Sequence, residues 1–486
     1  MPGVTITTAT RQGPVAPASD QAARYFVLGL TERGDATVPV RVRSLGEYEA
    51  LLGQRVAYGA LHDDLRVFFE EGGAEAFVAR VVGPAASAGT LQLMDRATPA
   101  VATLSVTAAS PGAWSTGMTV AVEAGTAAGT FRLVISYGGR VVERYDNIAT
   151  PAAAVTRTAA STWITVADLG SVTAAPDNLP AVLAATALSA GTDDRANVDA
   201  PEVVAAAARF APELGAGIVA APGYTADLVG PGLIEHARTH NRLVALAMDV
   251  DAVESEATAA AATLGALPGS EHAGLFYPWV LMPDGAGARP IPPEGYVAAC
   301  RARAHRDVGP WRAPAGQIAQ SRYILGPSVE LNRAAGDALD EGRVSAIRRI
   351  VNTTRLYGWR SLSPDADNYA LLVGRDMLNY LAVQAEALLE PFVFETIDGG
   401  GRLLSRVEST LVGLVDPIRA DGGLFERLTE DGEQIDPGYS VDVGETVNTD
   451  AVLASNTINA VLAVRVSPVG TLIRLTIVKA ALTASV

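Results

Sequence analysis

Two pairs of residues in this 486-residue sequence have side chains and a spacing that could support catalysis. Asp249 and Asp251 follow an apolar run, and carboxylates at the end of a strand hold metal ions in many α/β enzymes. Cys300 and His305 could form a thiolate–imidazole pair, the usual arrangement of a cysteine nucleophile. The further groups that complete such sites are not identifiable in the sequence. Turn residues at a strand end and a semi-buried thiol in an alanine-rich helix are therefore the simpler interpretations.

A histidine pair and a glycine-rich loop could bind a metal ion or a nucleotide. His236 and His240 lie at i, i+4 on one face of a predicted helix, a spacing that two zinc ligands use. No third ligand is identifiable, so solvated histidines on an amphipathic helix are the simpler interpretation. Gly215-Ala216-Gly217 precedes the predicted strand 218–221, whereas a phosphate-binding loop follows a strand and opens a helix. The sequence therefore predicts no catalytic residues, no bound metal and no cofactor.

The composition excludes several other classes of protein. Lys479 is the only lysine, so a Walker A loop, a kinase-type lysine and a lysine Schiff base in the body of the chain are excluded. Cys300 is the only cysteine, which excludes an internal disulfide and a multi-cysteine zinc site. The formal net charge of −16 argues against nucleic-acid binding. No apolar run approaches ~18 residues and no secretory signal is visible, so we expect no membrane insertion.

The hydrophobic pattern predicts an α/β (α+β) protein with several domains. From Tyr25 onward, short apolar runs alternate with amphipathic segments, as in a layered α/β domain, and this pattern resumes near Val203. Between these stretches the charge decreases and strands follow one another, with Gly138-Gly139 as a tight hairpin turn. Insertions are tolerated at surface loops. The predicted parts are an α/β core domain (21–90 plus 190–345), an inserted β-rich domain (91–189) and a C-terminal α/β domain (346–470).

Short strands without a local partner are predicted at both ends of the chain. Apolar residues alternate with polar ones in residues 1–20 and again in residues 471–486, which is the period of a half-buried strand. A strand this short must pair with a distant segment or with another chain, so we expect both segments to be extended arms. The apolar residues of these arms are Val4, Ile6, Ile473, Leu475 and Ile477.

A helix predicted over residues 402–419 has an apolar stripe and a polar remainder. The residues of the stripe, which we expect to dock on the same domain, are Leu404, Val407, Leu411, Leu414 and Ile418. Arg402, Arg406 and Glu408 lie largely off the stripe. From position alone, an ordinary solvated face and a surface that binds a partner both remain open for these three residues.

Several short motifs follow one another in an order and spacing that are typical of one protein family. They are PGV (2–4), YFVLGLTERG (25–34), VFFEEGG (67–73), FYPW (276–279), IPPEG (291–295), GPWRAPAG (309–316) and GWRSL (358–362). Together they resemble the contractile tail sheath proteins of myophages and of phage-derived contractile injection systems. Glu71 stands where this family usually has asparagine. The resemblance covers the whole chain except residues 91–189.

The resemblance implies a structural sheath subunit and no enzymatic activity. Such subunits polymerise helically, as stacked hexameric rings around an inner tube, and contract to drive the tube through a target envelope. The resemblance also implies baseplate and terminal cap proteins as partners, assembly in the bacterial cytoplasm, and a place in a phage tail or contractile injection particle. It implies terminal arms that add strands to a neighbour's sheet. It further implies that the helix over 402–419 faces the tube, with Arg402, Arg406 and Glu408 as candidate contacts.

Two other classes of function remain open at this point. A β-rich shell protein or adhesin is consistent with the successive strands of residues 91–189. An α/β enzyme that uses Asp249 or Cys300 is consistent with the alternating pattern of the core, although no complete set of catalytic residues is identifiable.

Overall fold

The computed structural model describes residues 23–472, which divide into two compact units. Unit 1 consists of residues 23–307 and 314–376, and unit 2 consists of residues 308–313 and 377–472. Outside the described residues lie the predicted arm residues Val4, Ile6, Ile473, Leu475 and Ile477. No helix within residues 23–472 has the length and apolar content that a membrane span requires.

Unit 1 begins with two helices placed between strands. Its first elements are β1 (Arg24–Gly29), β2 (Val40–Val42), α1 (Leu45–Leu52), α2 (Leu61–Glu70) and β3 (Ala76–Arg80). Ser44 is the N-cap of α1, because its side-chain oxygen accepts a hydrogen bond from the backbone N–H of Glu47 (3.1 Å). This bond satisfies one free donor of the first helical turn. β1 is buried at all residues except the first, as expected for a parallel strand that is covered on both faces.

Residues 90–187 form a β-rich region within unit 1. Its elements are β4 (Thr90–Met94), β5 (Ala102–Ala108), β6 (Met118–Ala124), β7 (Phe131–Tyr137), β8 (Arg140–Ile148), α3 (Pro151–Thr158), β9 (Ile164–Asp168) and β10 (Leu183–Ala187). The strands form two sheets, with the orders β4-β5-β9 and β10-β6-β7-β8. The predicted hairpin is confirmed, since Gly138 and Gly139 join β7 to β8 with φ of 57° and 78°. A two-residue turn of this kind requires positive φ at both positions.

This β-rich region has an apolar core of its own. Alternating residues of β5, β6 and β7 point inward, as the two-residue period of a strand dictates. The buried residues of these strands include Leu104, Val106, Val120, Val122, Leu133 and Ile135. The chain enters and leaves the region side by side, because Ser87 and Thr192 exchange two backbone hydrogen bonds (2.8 and 2.9 Å).

The rest of unit 1 returns to alternating strands and helices. Its elements are α4 (Ala200–Ala206), β11 (Gly217–Ala220), α5 (Ala226–His240), β12 (Leu243–Ala247), α6 (Glu254–Gly265), β13 (Ala273–Tyr277), β14 (Val280–Asp284), β15 (Gly287–Ile291), α7 (Glu294–Asp307), β16 (Gly326–Pro327), α8 (Arg333–Glu341), β17 (Val344–Ile350), β18 (Thr353–Leu356), α9 (Ala366–Tyr369) and the start of α10 (Leu372–Leu389). β14, β15 and β16 form a small antiparallel sheet.

An eight-stranded sheet forms the centre of unit 1. Its strand order is β18-β17-β13-β12-β11-β1-β3-β2. The strands from β17 to β3 run parallel, and only the outermost strands β18 and β2 are antiparallel to their neighbours. Apolar residues of the sheet, such as Phe26, Val219 and Leu275, pack with residues of α4, α5, α6 and α8 in one core. The predicted α/β class is thereby confirmed.

The predicted boundary at residues 345/346 requires a correction. It falls within β17, which pairs with β13 through Leu275 and Val344 and through Tyr277 and Ala346. A strand that is hydrogen bonded into the central sheet belongs to the domain of that sheet. The two compact units divide later, between Asp376 and Met377 in α10.

Unit 2 contains the remainder of α10 and a set of shorter elements. These are α11 (Arg402–Ala420), β19 (Arg427–Leu428), β20 (Gln434–Asp436), β21 (Tyr439–Asp442), α12 (Asp450–Ala454) and β22 (Val461–Val464). β19 pairs with β20 and β21 pairs with β22, in two separate antiparallel ladders. The main core of the unit combines Met377 and Leu381 of α10 with Leu414, Val415 and Ile418 of α11.

Candidate interaction surface

Cys300 lies on α7 in the interior of unit 1. It is fully buried, and its Sγ lies 3.3 Å from a guanidinium nitrogen of Arg303. Burial raises the pKa of the thiol to about 11. A thiol with this pKa stays protonated at neutral pH, so Cys300 packs as a small apolar side chain and lacks the thiolate that a nucleophile needs.

His305, on the same helix, belongs to a buried ion-pair cluster. Asp376 accepts two hydrogen bonds from Arg301 (2.9 and 2.6 Å), and His305 Nε2 lies 2.8 Å from Asp376 Oδ2. Burial by itself raises the pKa of Asp376, but Arg301 and His305 outweigh it and hold the pKa at about 2. The cluster joins α7 to the N-terminal part of α10, so these charges are paired within unit 1.

The histidine pair of α5 is stacked, with ring centroids 4.3 Å apart. His236 is buried, which corrects the expected solvated position, and its Nε2 lies 3.0 Å from a guanidinium nitrogen of Arg242. Burial first, and then the Arg242 charge, lower the pKa of His236 to about 3. Arg242 also donates to the backbone oxygen of Gly215 (3.0 Å). The same arginine therefore holds both the histidine and the glycine loop that precedes β11.

Asp249 and Asp251 lie in the loop between β12 and α6. The Asp249 carboxylate accepts a hydrogen bond from the backbone N–H of Val250 (2.6 Å), and its carbonyl accepts one from Ala252 (3.2 Å). This is the role of a turn residue. Within residues 23–472, no group of three or more His, Cys, Asp or Glu side chains is placed to hold a metal ion.

Glu71, at the end of α2, is a buried carboxylate that the hydrophobic pattern does not predict. It accepts hydrogen bonds from the backbone N–H groups of Arg322, Tyr323 and Ile324 (2.8–3.1 Å). Arg303 contacts the same carboxylate at 3.3 Å. The only signal in the sequence is the departure from the family motif, in which this position is usually asparagine.

A second buried carboxylate, Asp64, lies in the middle of α2. It accepts hydrogen bonds from the Tyr25 hydroxyl (2.8 Å) and from the backbone N–H of Gly295 (2.7 Å) at the start of α7. Burial raises the pKa of Asp64 to about 7, and burial together with the nearby Asp64 raises the pKa of Glu294. Both carboxyls are buried within unit 1, and the hydrogen bond from Gly295 to Asp64 joins the start of α7 to α2.

The surface of unit 2 offers a different arrangement, in which α11 has one buried and one exposed face. The predicted stripe is confirmed, because Val407, Leu411, Leu414 and Ile418 are buried and Leu404 packs against the cluster that contains Val407 and Leu411. Leu403 and Val415 extend the buried face. The opposite face carries exposed residues such as Ser405, Glu408 and Ser409.

The three candidate residues on α11 have different surroundings. Arg402 and Glu408 are exposed, and in the described part of the chain neither side chain has an opposite charge within 4 Å. Arg406 forms an ion pair with Glu395, and its guanidinium carbon lies 4.9 Å from the ring centroid of Phe392. Arg406 is thus held by its own unit, whereas Arg402, near the Asp398 carboxylate, and Glu408 are exposed.

A similar fold occurs in solved structures of sheath proteins. The sheath tail protein of Listeria innocua matches with a TM-score of 0.60 at 14% identity, over 90% of this chain and 94% of its own. The PVC sheath complex of an extracellular contractile injection system, in the contracted state, matches with a TM-score of 0.57 at 15% identity, over 98% and 97%. The chain has the fold of contractile sheath proteins. The helical sheath of the anti-feeding prophage, also contracted, matches with a TM-score of 0.56 at 15% identity over 98% of both chains.

The predicted resemblance is therefore confirmed at the level of the fold. The sheath fold extends over nearly the whole chain, so it also includes most of residues 91–189, for which the motifs gave no resemblance. Comparison with protein-family models and with curated protein sequences gave no match. At identities near 15%, these comparisons show a shared fold.

Proposed function

We propose that this chain is the structural subunit of a contractile sheath, which polymerises helically around an inner tube and contracts to drive the tube through a target envelope. The sheath fold over 98% of the chain is the observation that carries the proposal. The burial of Cys300, His305 and His236 also supports the proposal. Each of these candidate catalytic side chains is buried among protein contacts. The subunit acts by assembly and movement, with no catalytic step.

The lattice is proposed to consist of stacked hexameric rings that are linked by the terminal arms. Such a lattice needs contacts between different surfaces of neighbouring copies, so that it grows along an axis without closing. Strands that join a neighbour's sheet supply these contacts through main-chain hydrogen bonds. In the sequence, Gly13, Pro14 and Pro17 interrupt the strand pattern of residues 1–20, and glycine and proline are typical of joints that let linked subunits rotate and slide.

Contraction is then a transition between two lattices of the same subunits. The extended lattice is metastable, and the contracted one has the lower free energy. Baseplate proteins start the transition at one end and a terminal cap closes the other, and the particle assembles in the bacterial cytoplasm as part of a phage tail or a contractile injection system. Neighbouring subunits propagate the change because each remains linked to the next.

The exposed face of α11 is proposed to contact the inner tube. Arg402 and Glu408 carry opposite charges, are exposed, and have no ion-pair partner in the described residues. Arg406 contributes indirectly, since its pairing with Glu395 fixes the segment that precedes the helix. Weak ion pairs of this kind accumulate along a tube because every subunit repeats them.

Electron microscopy of the purified full-length protein tests the proposal. We expect rings or tubes in negative stain, whereas discrete small particles would indicate an enzyme and closed shells would indicate a shell protein.

Deletion of residues 1–20 or 471–486 tests the arms, and we expect folded protein that forms no long tubes. Circular dichroism is the control for folding. Tubes of normal length from both deletions would contradict the arm proposal.

A further inference from the structure

The hairpin of β19 and β20, residues 427–436, is an exposed element of unit 2. Arg427 pairs with Asp436 and Leu428 with Gln434, and within the described residues these strands join no larger sheet. A two-stranded hairpin is only marginally stable in water without further packing. Leu428 is nevertheless 50% exposed and Ile435 63% exposed. The hairpin thus presents apolar side chains to solvent beside its tip, where a partner would cover them.

The tip of this hairpin carries concentrated negative charge. Glu430, Asp431 and Glu433 are all exposed, and in the described part of the chain none has a cationic partner within 4 Å. A backbone hydrogen bond from Thr429 to the carbonyl of Glu433 (2.7 Å) closes the turn, which holds these carboxylates together. Residues 426–450 contain eight carboxylates and one arginine. We call residues 427–436 the acidic hairpin.

A surface of opposite charge lies at one edge of the central sheet in unit 1. Arg348 on β17 is directly opposite Arg355 on β18, the outermost strand. Like charges in such cross-strand positions repel each other. Arg348 lies 5.8 Å from the ring centroid of Tyr357, and Arg355 donates from Nε to the Thr353 hydroxyl (2.9 Å). We call Arg348, Arg355 and Tyr357 the arginine edge.

The two arginines of the arginine edge differ from other arginines nearby, because neither has an acidic partner among residues 23–472. Arg349, the next residue of β17, is paired with Glu330 at 3.0 Å. Arg360 is paired with Asp340. Residues 343–360 contain five arginines and no carboxylate, so the surplus of positive charge on this segment is not neutralised within the segment. Tyr357 is 50% exposed and adds an apolar ring to the same edge.

We propose that the acidic hairpin of one copy binds the arginine edge of a second copy of this chain. The carboxylates of the tip then pair with Arg348 and Arg355, and Leu428 and Ile435 cover the exposed ring of Tyr357. The two surfaces are different, so the contact is heterologous and continues from copy to copy without closing. This inference rests on the proposed sheath function, for which it supplies a contact that does not involve the terminal arms.

Charge reversal on both surfaces tests this contact. The first variant carries Glu430→Arg, Asp431→Arg and Glu433→Arg, and the second carries Arg348→Glu and Arg355→Glu. We expect each variant alone to give about tenfold less sedimentable polymer than the wild type at low ionic strength, because opposed like charges repel at every subunit. An equimolar mixture is expected to restore polymer to within about twofold of the wild type. In the mixture, each reversed hairpin meets a reversed edge on the other variant.

The controls separate this contact from general effects of charge and folding. Arg140→Glu with Arg144→Glu reverses two exposed arginines on β8, and we expect it to polymerise like the wild type. Circular dichroism checks that each variant is folded. If the reversal at the sheet edge unfolds the protein, Arg348→Gln with Arg355→Gln replaces it, with an expected smaller loss of polymer and a weaker dependence on salt.

The outcomes distinguish this inference from the proposed function. Normal polymer from either reversed variant, or a mixture that gives no more polymer than its components, would overturn the contact between copies while the sheath function stands. A wild-type protein that forms no tubes under any condition would contradict the sheath function and this inference with it. Restored polymer in the mixture alone supports a contact between copies, because mixing cannot restore a contact within one copy.

Discussion

Glu71 connects the end of α2 with a segment that begins 251 residues further along the chain. Its carboxylate accepts hydrogen bonds from three consecutive backbone N–H groups, those of Arg322, Tyr323 and Ile324, and also contacts Arg303. A carboxylate has the number of lone pairs that this set of donors needs. A side-chain amide has one acceptor oxygen, and its NH₂ group would face backbone donors.

We therefore expect Glu71→Gln to lower the free energy of unfolding by about 3 kcal/mol, since it leaves a buried arginine and backbone donors unpaired. Urea unfolding followed by tryptophan fluorescence measures the change. Glu70→Gln is the matched control, because Glu70 is adjacent and exposed, and its effect is expected to stay within about 0.5 kcal/mol. Equal effects of the two substitutions would show that the buried contacts of Glu71 contribute no stability.

Asp64 gives unit 1 a dependence on pH. Burial raises the pKa of Asp64 to about 7 in the folded protein, whereas an unfolded aspartate has a pKa near 4. The folded state therefore holds a proton that the unfolded state releases between these values. This contribution to stability is fully present below about pH 4 and is lost as the pH rises through about 7.

Asp64→Asn isolates this contribution, because an amide resembles the protonated carboxyl in shape and still accepts the hydrogen bond from Gly295. We expect the wild type to lose stability relative to Asp64→Asn as the pH rises from 5 to 8, so that the difference favours the variant at pH 8. Thermal unfolding of both proteins across this range measures the difference. The Asp376 carboxylate, with a pKa of about 2, adds no slope there, and the lowered pKa values of the buried His305 and His236 act on both proteins alike and cancel in the difference. A difference that is constant with pH would contradict the prediction.

At the scale of elements, the sequence predicts local features well and long-range pairing poorly. The hairpin at Gly138-Gly139 and the buried stripe of α11 follow from neighbouring residues, and both are present. The end of the core domain depends on the pairing of β17 with β13, which joins residues about 70 positions apart, and the predicted boundary cuts that strand. The partners of Glu71 and the cluster around Asp376 likewise come from distant segments, for which a periodic pattern gives no signal.

The first turn of α11 contains the residue that best tests contact with a tube. Asp398 accepts hydrogen bonds from the backbone N–H groups of Arg402 (3.1 Å) and Leu403 (3.3 Å), so the helix start is already capped. The Arg402 side chain is exposed at the positive end of the helix dipole, where the nearby Asp398 carboxylate partly offsets the unfavourable placement of a cation. A carboxylate on the tube would add a partner at ion-pair distance.

We expect Arg402→Glu to reduce co-sedimentation with purified tube by at least about threefold at low salt, and less at high salt, because exposed ion pairs are weak but repeated and are screened by ions. Self-assembly of the variant sheath is the first control. Arg140→Glu makes the same change of charge on β8 and is the second. Unchanged binding of the Arg402→Glu sheath to the tube would mean that this face of α11 is simply solvated.

At the scale of the whole molecule, residues 88–191 are connected to the rest of unit 1 by few polar contacts. The Tyr137 hydroxyl donates to Glu32 (2.6 Å), Ser110 accepts from the backbone N–H of Gly34 (3.0 Å), and the guanidinium carbon of Arg33 lies 4.1 Å from the ring centroid of Trp163. The groups that the central-sheet part of unit 1 contributes to these contacts are the charged side chains of Glu32 and Arg33 and the backbone N–H of Gly34. Their removal would therefore expose mainly polar atoms to water.

Excision of residues 88–191 is expected to leave a folded subunit that still polymerises. Ser87 and Thr192 already form an antiparallel bridge, so an Asn-Gly turn can join them without displacing either residue. The apolar core of the excised region is separate from the core of the central sheet, and we expect the melting temperature to fall by no more than about 5 °C. Circular dichroism and negative-stain microscopy measure folding and tube formation in the same preparation.

An unfolded product would mean that the central sheet depends on this region. A folded product without tubes would mean that the region takes part in lattice contacts, because the sheet alone would then be insufficient for assembly.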